Sequence, residues 1–419
     1  MFLQFHTLTS YPGTLLNRDD AGFAKRLPFG GATRTRVSSQ CLKYHWRNFD
    51  GKHALYDMDV PRSLRSRETF YRRIVQPLTD DGHPEPLVAS AALALQERLL
   101  ADDRVNLSPL KNLLKGEDEP RETLETNQVT IFGTPEMNYL RDLVSDKVEA
   151  VTEEYPVFLN GEDPDSDTIS DAAKALRDFS RGDLKKNLRG LNQAAGLDAA
   201  MFGRMATSDV LARGDAAVHV AHAFTTHKEE SESDYFSAVD ELRRDDPQES
   251  GEMGAGHINS QELTSGLFYS YVVVDVPLLV SNLDGVERDD WQDGNTDLAA
   301  EVVRRFVHLL TTVSPGAKLG STAPYSRAQC LFAEAGTTQP RTLANAFQDP
   351  VDKENIRQNS YRALAEHIED IDQMYGAQTD RRLAAMGPTD RLVEGLGVDG
   401  TVTVEEVANW AANQIQNGR

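Results

Sequence analysis

The run GLFYSYVVVDV, residues 266–276, constrains this chain more than any other segment. Its aromatic residues are followed by consecutive valines. Such side chains pack well on a pleated surface and lose rotamer freedom in a helix, so the run reads as the clearest strand. A second apolar run, Phe2 to Leu8, reads as a buried strand.

Helical patterns surround these strands. Ser38-Ser39 can cap a helix starting near Gln40, with Leu42, Trp46 and Phe49 on its apolar stripe. Leu298 to Val313 is amphipathic, with Val302, Phe306, Leu309 and Leu310 on one side, and Ser314-Pro315-Gly316 ends it. Thr403 to Ile415 forms a last helix with Val407, Trp410 and Ala411 inward. The apolar segment Ala216 to Phe224 reads as a packed helix. Residues from about 55 to 195 are mostly polar and helical in pattern (88–102 and 171–192), broken by loops at 116–121 and 160–168, which marks an insertion or subdomain.

A chain of 419 residues implies two or three domains, or one with large insertions. No apolar run approaches the roughly 20 residues that cross a bilayer, and the start lacks the pattern of a signal peptide, so no membrane partner is expected. Cys41 and Cys330 are too few for a disulfide framework or a structural zinc site, and a cytoplasmic location is the expectation.

The formal net charge is −22, which argues against nucleic acid if read as a whole. The charge is unevenly spread. Lys25, Arg26, Arg34, Arg36, Lys43 and Arg47 fall in a stretch with no acid, and arginines 62, 65, 67, 72 and 73 are opposed only by Glu68. Lys228 to Glu252, in contrast, holds ten acids and three bases.

The segment Phe29-Gly30-Gly31-x-x-Arg34-x-Arg36-x-Ser38-Ser39-Gln40 has the chemistry of an anion site. Glycines let a phosphate approach the backbone, and two arginines at i, i+2 project to one side of an extended segment. Hydroxyls and an amide then meet a helix N-terminus, whose free N–H groups favour an anion. Lys43 and Arg47 continue one helix face. The bland alternative is a solvated basic helix.

Enzymatic readings are weaker. There is no phosphate loop, no dinucleotide fingerprint and no H-E-x-x-H. Ser39 and Lys43 are four residues apart, not the three of an S-x-x-K motif. His219 and His222, with His227 nearby, could share a metal, but histidines on an apolar helix are more often core groups. Asp19-Asp20 could bind Mg²⁺ and cleave RNA, although acids beside Asn17 and Arg18 more often form turns. A metal-dependent endoribonuclease and a metabolic enzyme binding a small phosphate ester are the alternatives to an RNA-binding scaffold.

Seven blocks occur in order: LNRDD (16–20), FGG-x-x-R-x-R-x-SSQ-x-LK (29–43), GRMATS (203–208), AHA-x-TTH (221–227), D-x-F-x-AVD (234–240), SG-x-FY-x-Y (265–271) and PGAK (315–318). Together they resemble the CasC family, the backbone subunit of Cascade, the type I-E CRISPR RNA-guided surveillance complex. The resemblance implies an α+β fold: an RNA-recognition-motif-like (ferredoxin-like) palm, a helical fingers insertion and a β-hairpin thumb. It maps the palm to 1–54, 196–224 and 263–419, the fingers to 55–195 and the thumb to 225–262.

It further implies a non-catalytic, multi-copy subunit without cofactor or metal. Its partners would be CRISPR RNA, the target DNA strand, copies of itself and other Cascade subunits. Residue by residue, Arg18, Lys25, Ser38, Gln40, Lys43 and Arg47 fall on positions that hold guide phosphates and sugars, and Arg34 and Arg36 keep that loop basic. Arg204 and Met205 lie in GRMATS and Phe236 in D-x-F-x-AVD, with Met205 and Phe236 as apolar wedges in a kinked guide. Lys318 in PGAK is a further backbone contact. The chain departs from relatives in an acid-rich 116–172, where lysines commonly guide DNA. That leaves the arginines at 62–73 as the other source of such contacts, against a solvated helix face.

Overall fold

Both apolar runs are strands. β1 spans Phe2–Thr14, and the 266–276 run forms most of the second half of a 21-residue strand, Ala255–Asp275. The computed structural model describes residues 1–100, 105–160, 163–189, 191, 195–204, 214–239, 255–377 and 379–418. It divides the chain into two units: Met1–Met58 with Val218–Val276 and Thr296–Arg419, and Asp59–Ala217 with Pro277–Asn295.

In chain order, β1 is followed by a hairpin of β2 (Arg26–Phe29) and β3 (Ala32–Val37), then helix α1 (Ser39–Arg47). The second unit supplies β4 (Ser63–Ser66), α2 (Glu85–Leu100), β5 (Thr130–Gly133), α3 (Thr134–Glu154) and α4 (Ser166–Arg177), with shorter helices between and after them. The first unit resumes with β6 (Val218–Val220), β7 (Ala223–Thr225), β8 (Ser231–Val239) and β9 (Ala255–Asp275). It ends with α5 (Thr296–Thr312), β10 (Ala328–Gly336), α6 (Ile356–Tyr375), β11 (Asp380–Ala385) and α7 (Val404–Gln416).

The strands of the first unit form one sheet in the order β11-β10-β1-β9-β7-β3-β2, with β6 and β8 also paired to β9. β1 lies between β10 and β9, in antiparallel register from Phe2↔Asp275 to Tyr11↔Gly266. Both faces are covered. Leu8, Tyr269, Tyr271 and Phe332 pack with Tyr361, Leu364 and Ile368 of α6. Thr7, Thr9 and Phe268 share a small cavity with Leu42 and Trp46 of α1 and Leu310 of α5. Trp46 meets Phe306 edge-on at 5.3 Å.

The expected helix over 216–224 is instead β6 and β7. Val218 and Val220 alternate with His219 and Ala221, and β9 offers free pairing positions at Val272–Val274. Sheet pairing wins over the apolar content that resembled a helix. The acidic stretch after 228 forms a hairpin, with Ser231↔Thr264 through Val239↔Ala255 in register. Its tip, 240–254, lies outside the described residues.

The second unit is built around α2, whose residues Leu87 to Leu95 are all buried. Met137, Leu140, Val144, Val148 and Val151 give α3 a stripe that faces this core. Residues 197–202, expected in the palm, form a short helix belonging to this unit.

A charged network sits inside the first unit. Glu334 of β10 is wholly buried and accepts hydrogen bonds from Arg341 at 2.6 and 2.9 Å, Thr379 at 2.8 Å and Arg381 at 3.2 Å. The Tyr269 hydroxyl accepts from the Leu343 N–H and lies 2.9 Å from His6 Nδ1. A hydroxyl donating to Nδ1 leaves the His6 proton on Nε2, 3.3 Å from Glu334. Burial pushes the Glu334 carboxyl up, but hydrogen bonds from His6 and Arg341 outweigh it and hold the group well below the usual range.

Six histidines of this unit, at positions 6, 53, 222, 227, 308 and 367, are held below 6.5, first of all because burial removes hydration from the charged ring. The unfolded chain therefore takes up protons first as pH falls through 6.5, and stability falls with it. The Glu334 contribution is complete above 4.5 and is lost only in stronger acid. The melting temperature followed by circular dichroism is expected to drop progressively from neutral pH to about 5. A level Tm over that interval would contradict the assignment.

Candidate nucleic-acid interface

The loop from Asn17 to Lys25 is tied at several points. The Asn17 carbonyl accepts from the Lys25 N–H at 2.9 Å, and its Oδ1 accepts from the Ser38 N–H at 2.9 Å. Asp19 Oδ1 accepts from the N–H groups of Ala21 and Phe23 at 3.0 and 2.9 Å, so this carboxylate forms the turn. Arg18 forms an isolated bridge with Ala24. The result is a tied loop that presents the exposed Arg18 beside Phe23, which is 52% exposed.

Gly30 and Gly31, with φ of 60° and 72°, form the two-residue turn joining β2 to β3. A Cβ on Gly30 would lie 1.5 Å from the Gln348 carbonyl oxygen. These glycines therefore serve a hairpin turn and a close backbone approach, not the phosphate cradle their spacing suggested.

The two arginines of β3 part company. Arg34 is 0% exposed, and its guanidinium donates to the carbonyls of Thr225 (2.9 Å), Phe347 (2.8 Å) and Gln348 (3.3 Å). It fastens β7 to the 344–348 turn and does not belong to the interface. Arg36 is half-exposed; its Nε donates to the Arg26 carbonyl at 3.1 Å. Arg26, exposed at the hairpin edge, is capped by the carboxylates of Glu229 and Glu262.

Helix α1 begins as expected. Ser38 is the N-cap, buried, and its Oγ accepts from the Cys41 N–H at 3.3 Å. That hydroxyl serves the helix. Gln40 is exposed, Lys43 and Arg47 are half-exposed on one face, and Tyr44 between them is exposed. No acid stands in the first turn. Cys41 is half-buried, and burial pushes its thiol up to about 11, opposed in part by Lys25.

The histidines take separate roles. His222 Nδ1 accepts from the Ser39 N–H at 3.2 Å, with Arg36 Nη1 3.5 Å away. Its pKa is lowered by burial and then by Arg36 and Lys25, so the ring registers a locally positive potential. His219 pairs with Val273 within the sheet, and His227 is buried with Nδ1 2.6 Å from the Lys228 carbonyl. Among the described residues no group of three His, Cys, Asp or Glu side chains is placed to hold a metal ion.

Lys318 donates to Gln261 Oε1 at 2.8 Å and, with Arg18 and Phe23, lines a cleft of about 430 Å³ at the base of the β8–β9 hairpin. Phe236 lies on β8 opposite Asn259. Met205 lies outside the described residues. Arg204 is 3% exposed and donates to both Glu136 oxygens at 2.6 and 2.8 Å inside the second unit, so it is not an interface residue. The arginines at 67 and 72 are paired with Glu125 and Glu68, and Glu68 also receives Arg121.

The aromatics of β1, β9 and β10 on the face under α6 are closed in. His6 stacks on Tyr271 at 4.8 Å and on Phe332 at 5.5 Å, in the core under α6. What remains open is the loop, strand and helix path carrying Arg18, Lys25, Arg36, Gln40, Lys43 and Arg47 with Lys318 beside it. Sequence reasoning missed Phe23, an isolated aromatic in a polar loop, as well as His222 and Glu262 as its supports.

A family model described as "CT1975-like protein" matches residues 3–410. The chain belongs to the CT1975-like family of Cas proteins. Two solved structures share the fold of this family member. One, from a "CRISPR RNA-guided surveillance complex, pre-nicking", is 23% identical with a TM-score of 0.73, covering 99% of this chain and 100% of that one. The other, from a "CRISPR RNA-guided surveillance complex", is 18% identical with a TM-score of 0.63 and the same coverage. No curated protein matches the CT1975-like chain significantly. Among the described residues no helix is long and apolar enough to cross a membrane.

Proposed function

We propose that this chain is a non-catalytic backbone subunit of a CRISPR RNA-guided surveillance complex, of the kind that CasC provides in type I-E Cascade. Copies would line up along the CRISPR RNA, grip its sugar–phosphate backbone and leave its bases to pair with target DNA. The observation that carries this reading is the set of half-exposed cations Lys25, Arg36, Lys43 and Arg47, in a stretch of sequence without an acid, in a member of a Cas family.

The topology supports it. In sequence, β1, α1, β7, β9, α5 and β10 follow a β-α-β-β-α-β order, and in the sheet the strands run β10-β1-β9-β7. That order supports the reading of this part as a ferredoxin-like, RNA-recognition-motif-like palm. The β8–β9 hairpin supports the thumb, and the helical second unit supports the fingers. Because α6 closes the sheet face, RNA would bind at the β2–β3 hairpin and the α1 tip, not across the strands as in a typical RNA-recognition motif.

The acidic total is compatible with this. At physiological salt the Debye length is about 8 Å, so carboxylates farther than that from the path are largely screened. Cations and uncharged donors hold a backbone without reading its sequence, and the exposed Phe23 ring offers a face on which any base can stack. The revised contact set is Arg18, Lys25, Arg36, Gln40, Lys43, Arg47 and Lys318, with Ser38 holding the helix tip and Arg34 and Arg204 serving the fold. Phe236 stays in the proposal as a wedge from the hairpin.

Size-exclusion chromatography of the protein with a single-stranded RNA several sites long tests the assignment. The expected result is a particle much larger than one chain, containing several copies per RNA regardless of sequence. A one-to-one complex, or RNA shortened during incubation with Mg²⁺, would overturn it.

A further inference from the structure

Glu262 lies on β9 opposite Ser233, at the base of the hairpin, and is 9% exposed. Its Oε2 accepts from the Ala24 N–H at 2.6 Å, and its other oxygen takes Arg26. Ala24 is the bridge partner of Arg18 and follows Phe23 directly. The Arg26 carbonyl in turn receives Arg36 Nε. One buried carboxylate therefore ties the hairpin to the loop that carries Arg18 and Phe23, and through Arg26 to Arg36. The neighbouring residue, Gln261, holds Lys318 in the same way.

We infer that Glu262 is a positioning residue for RNA: a buried side chain beside a phosphate-binding path whose hydrogen bonds raise the affinity of that path. This rests on the RNA-binding reading above and deepens it. A carboxylate near phosphate acts by two routes of opposite sign. Its charge repels the ligand, and its hydrogen bonds orient the groups that attract it. Glu262 is shielded and its oxygens face Ala24 and Arg26, so orientation outweighs repulsion. Glu232 lines the same cleft from β8 and is exposed, so there only the repulsion should count.

The test measures RNA binding against salt for Glu262→Ala, Glu262→Asp, Glu262→Gln and Glu232→Gln, with Tm recorded for each. Glu262→Asp leaves the charge unchanged but shortens the side chain beyond reach of Ala24. Both Glu262→Ala and Glu262→Asp are expected to bind about tenfold more weakly. Their salt slope should fall by about 0.7, the value of one single-strand phosphate contact, as Arg18 swings away. Glu262→Gln keeps an acceptor for the Ala24 N–H and should retain affinity, and Glu232→Gln should bind as tightly as the parent or more so. A merely structural role would lower Tm and leave the slope untouched.

If Glu262→Ala and Glu262→Asp both bind at least as tightly as the parent while Arg36→Ala/Lys43→Ala binds weakly, the positioning role is wrong and the RNA-binding reading stands. If the Arg36/Lys43 variant also binds normally, both fall. Should Glu262→Ala fail to fold, the isoelectric Asp variant decides.

Discussion

Replacing Arg36 and Lys43 together by alanine is expected to weaken binding of single-stranded RNA by roughly 10²–10⁴-fold, given about 1.5–3 kcal/mol for each charge-assisted contact. Arg36 is anchored at its Nε by the Arg26 carbonyl, which leaves its remaining donors on the half-exposed end of the guanidinium. Lys43 faces out from α1 one turn beyond the capped N-terminus. Since both contacts are to phosphate, the loss should be equal for unrelated sequences. The salt dependence should flatten by about 1.4, twice the single-contact value for a single strand. A filter-binding titration reads both quantities. Unchanged affinity and slope would mean that the cationic path does not meet RNA.

The second large effect concerns stability. Arg204 and Glu136 form a buried pair in the second unit, and Glu136 also accepts from the Gly133 N–H at the start of α3. Burial pushes the Glu136 carboxyl upward despite Arg204 and the helix cap, so the desolvation of this charge is not fully recovered by its partner. Arg204→Ala would strand a carboxylate in the core and is expected to destabilise the unit by about 3–5 kcal/mol. Arg204→Met with Glu136→Gln removes both charges and keeps an acceptor for Gly133, so the double variant should lose far less than Arg204→Ala alone. Urea unfolding measures the difference. The RNA salt slope should not move in either variant. A flattened slope with normal stability would return Arg204 to the interface.

The contrast between Arg34 and Arg36 shows how far residue pattern reaches. Both were legible as cations on one side of an extended segment, and β3 places them so. Their fates differ because of groups remote in sequence. Arg34 meets the carbonyls of Thr225, Phe347 and Gln348, which arrive from β7 and from the turn before α6. Gly30-Gly31 follows the same logic. The doublet marks a tight bend, but only the approach of Gln348 explains why the first position admits no side chain. The histidines at 219 and 222 looked like a helical pair because their spacing is three, and strand pairing with β9 separates their roles.

Local chemistry alone dictated the Ser38 cap and α1, the strands at Phe2 and Gly266, the amphipathic helices α5 and α7, and the concentration of cations before Arg47. Each rests on neighbours within a few residues, where side-chain period, capping and β-branching act directly. Which cations face solvent, which carboxylate holds them, and which strand face is closed were settled by packing. Those outcomes depend on backbone carbonyls and helices brought together across hundreds of residues, and no local period encodes a hydrogen-bond partner that distant.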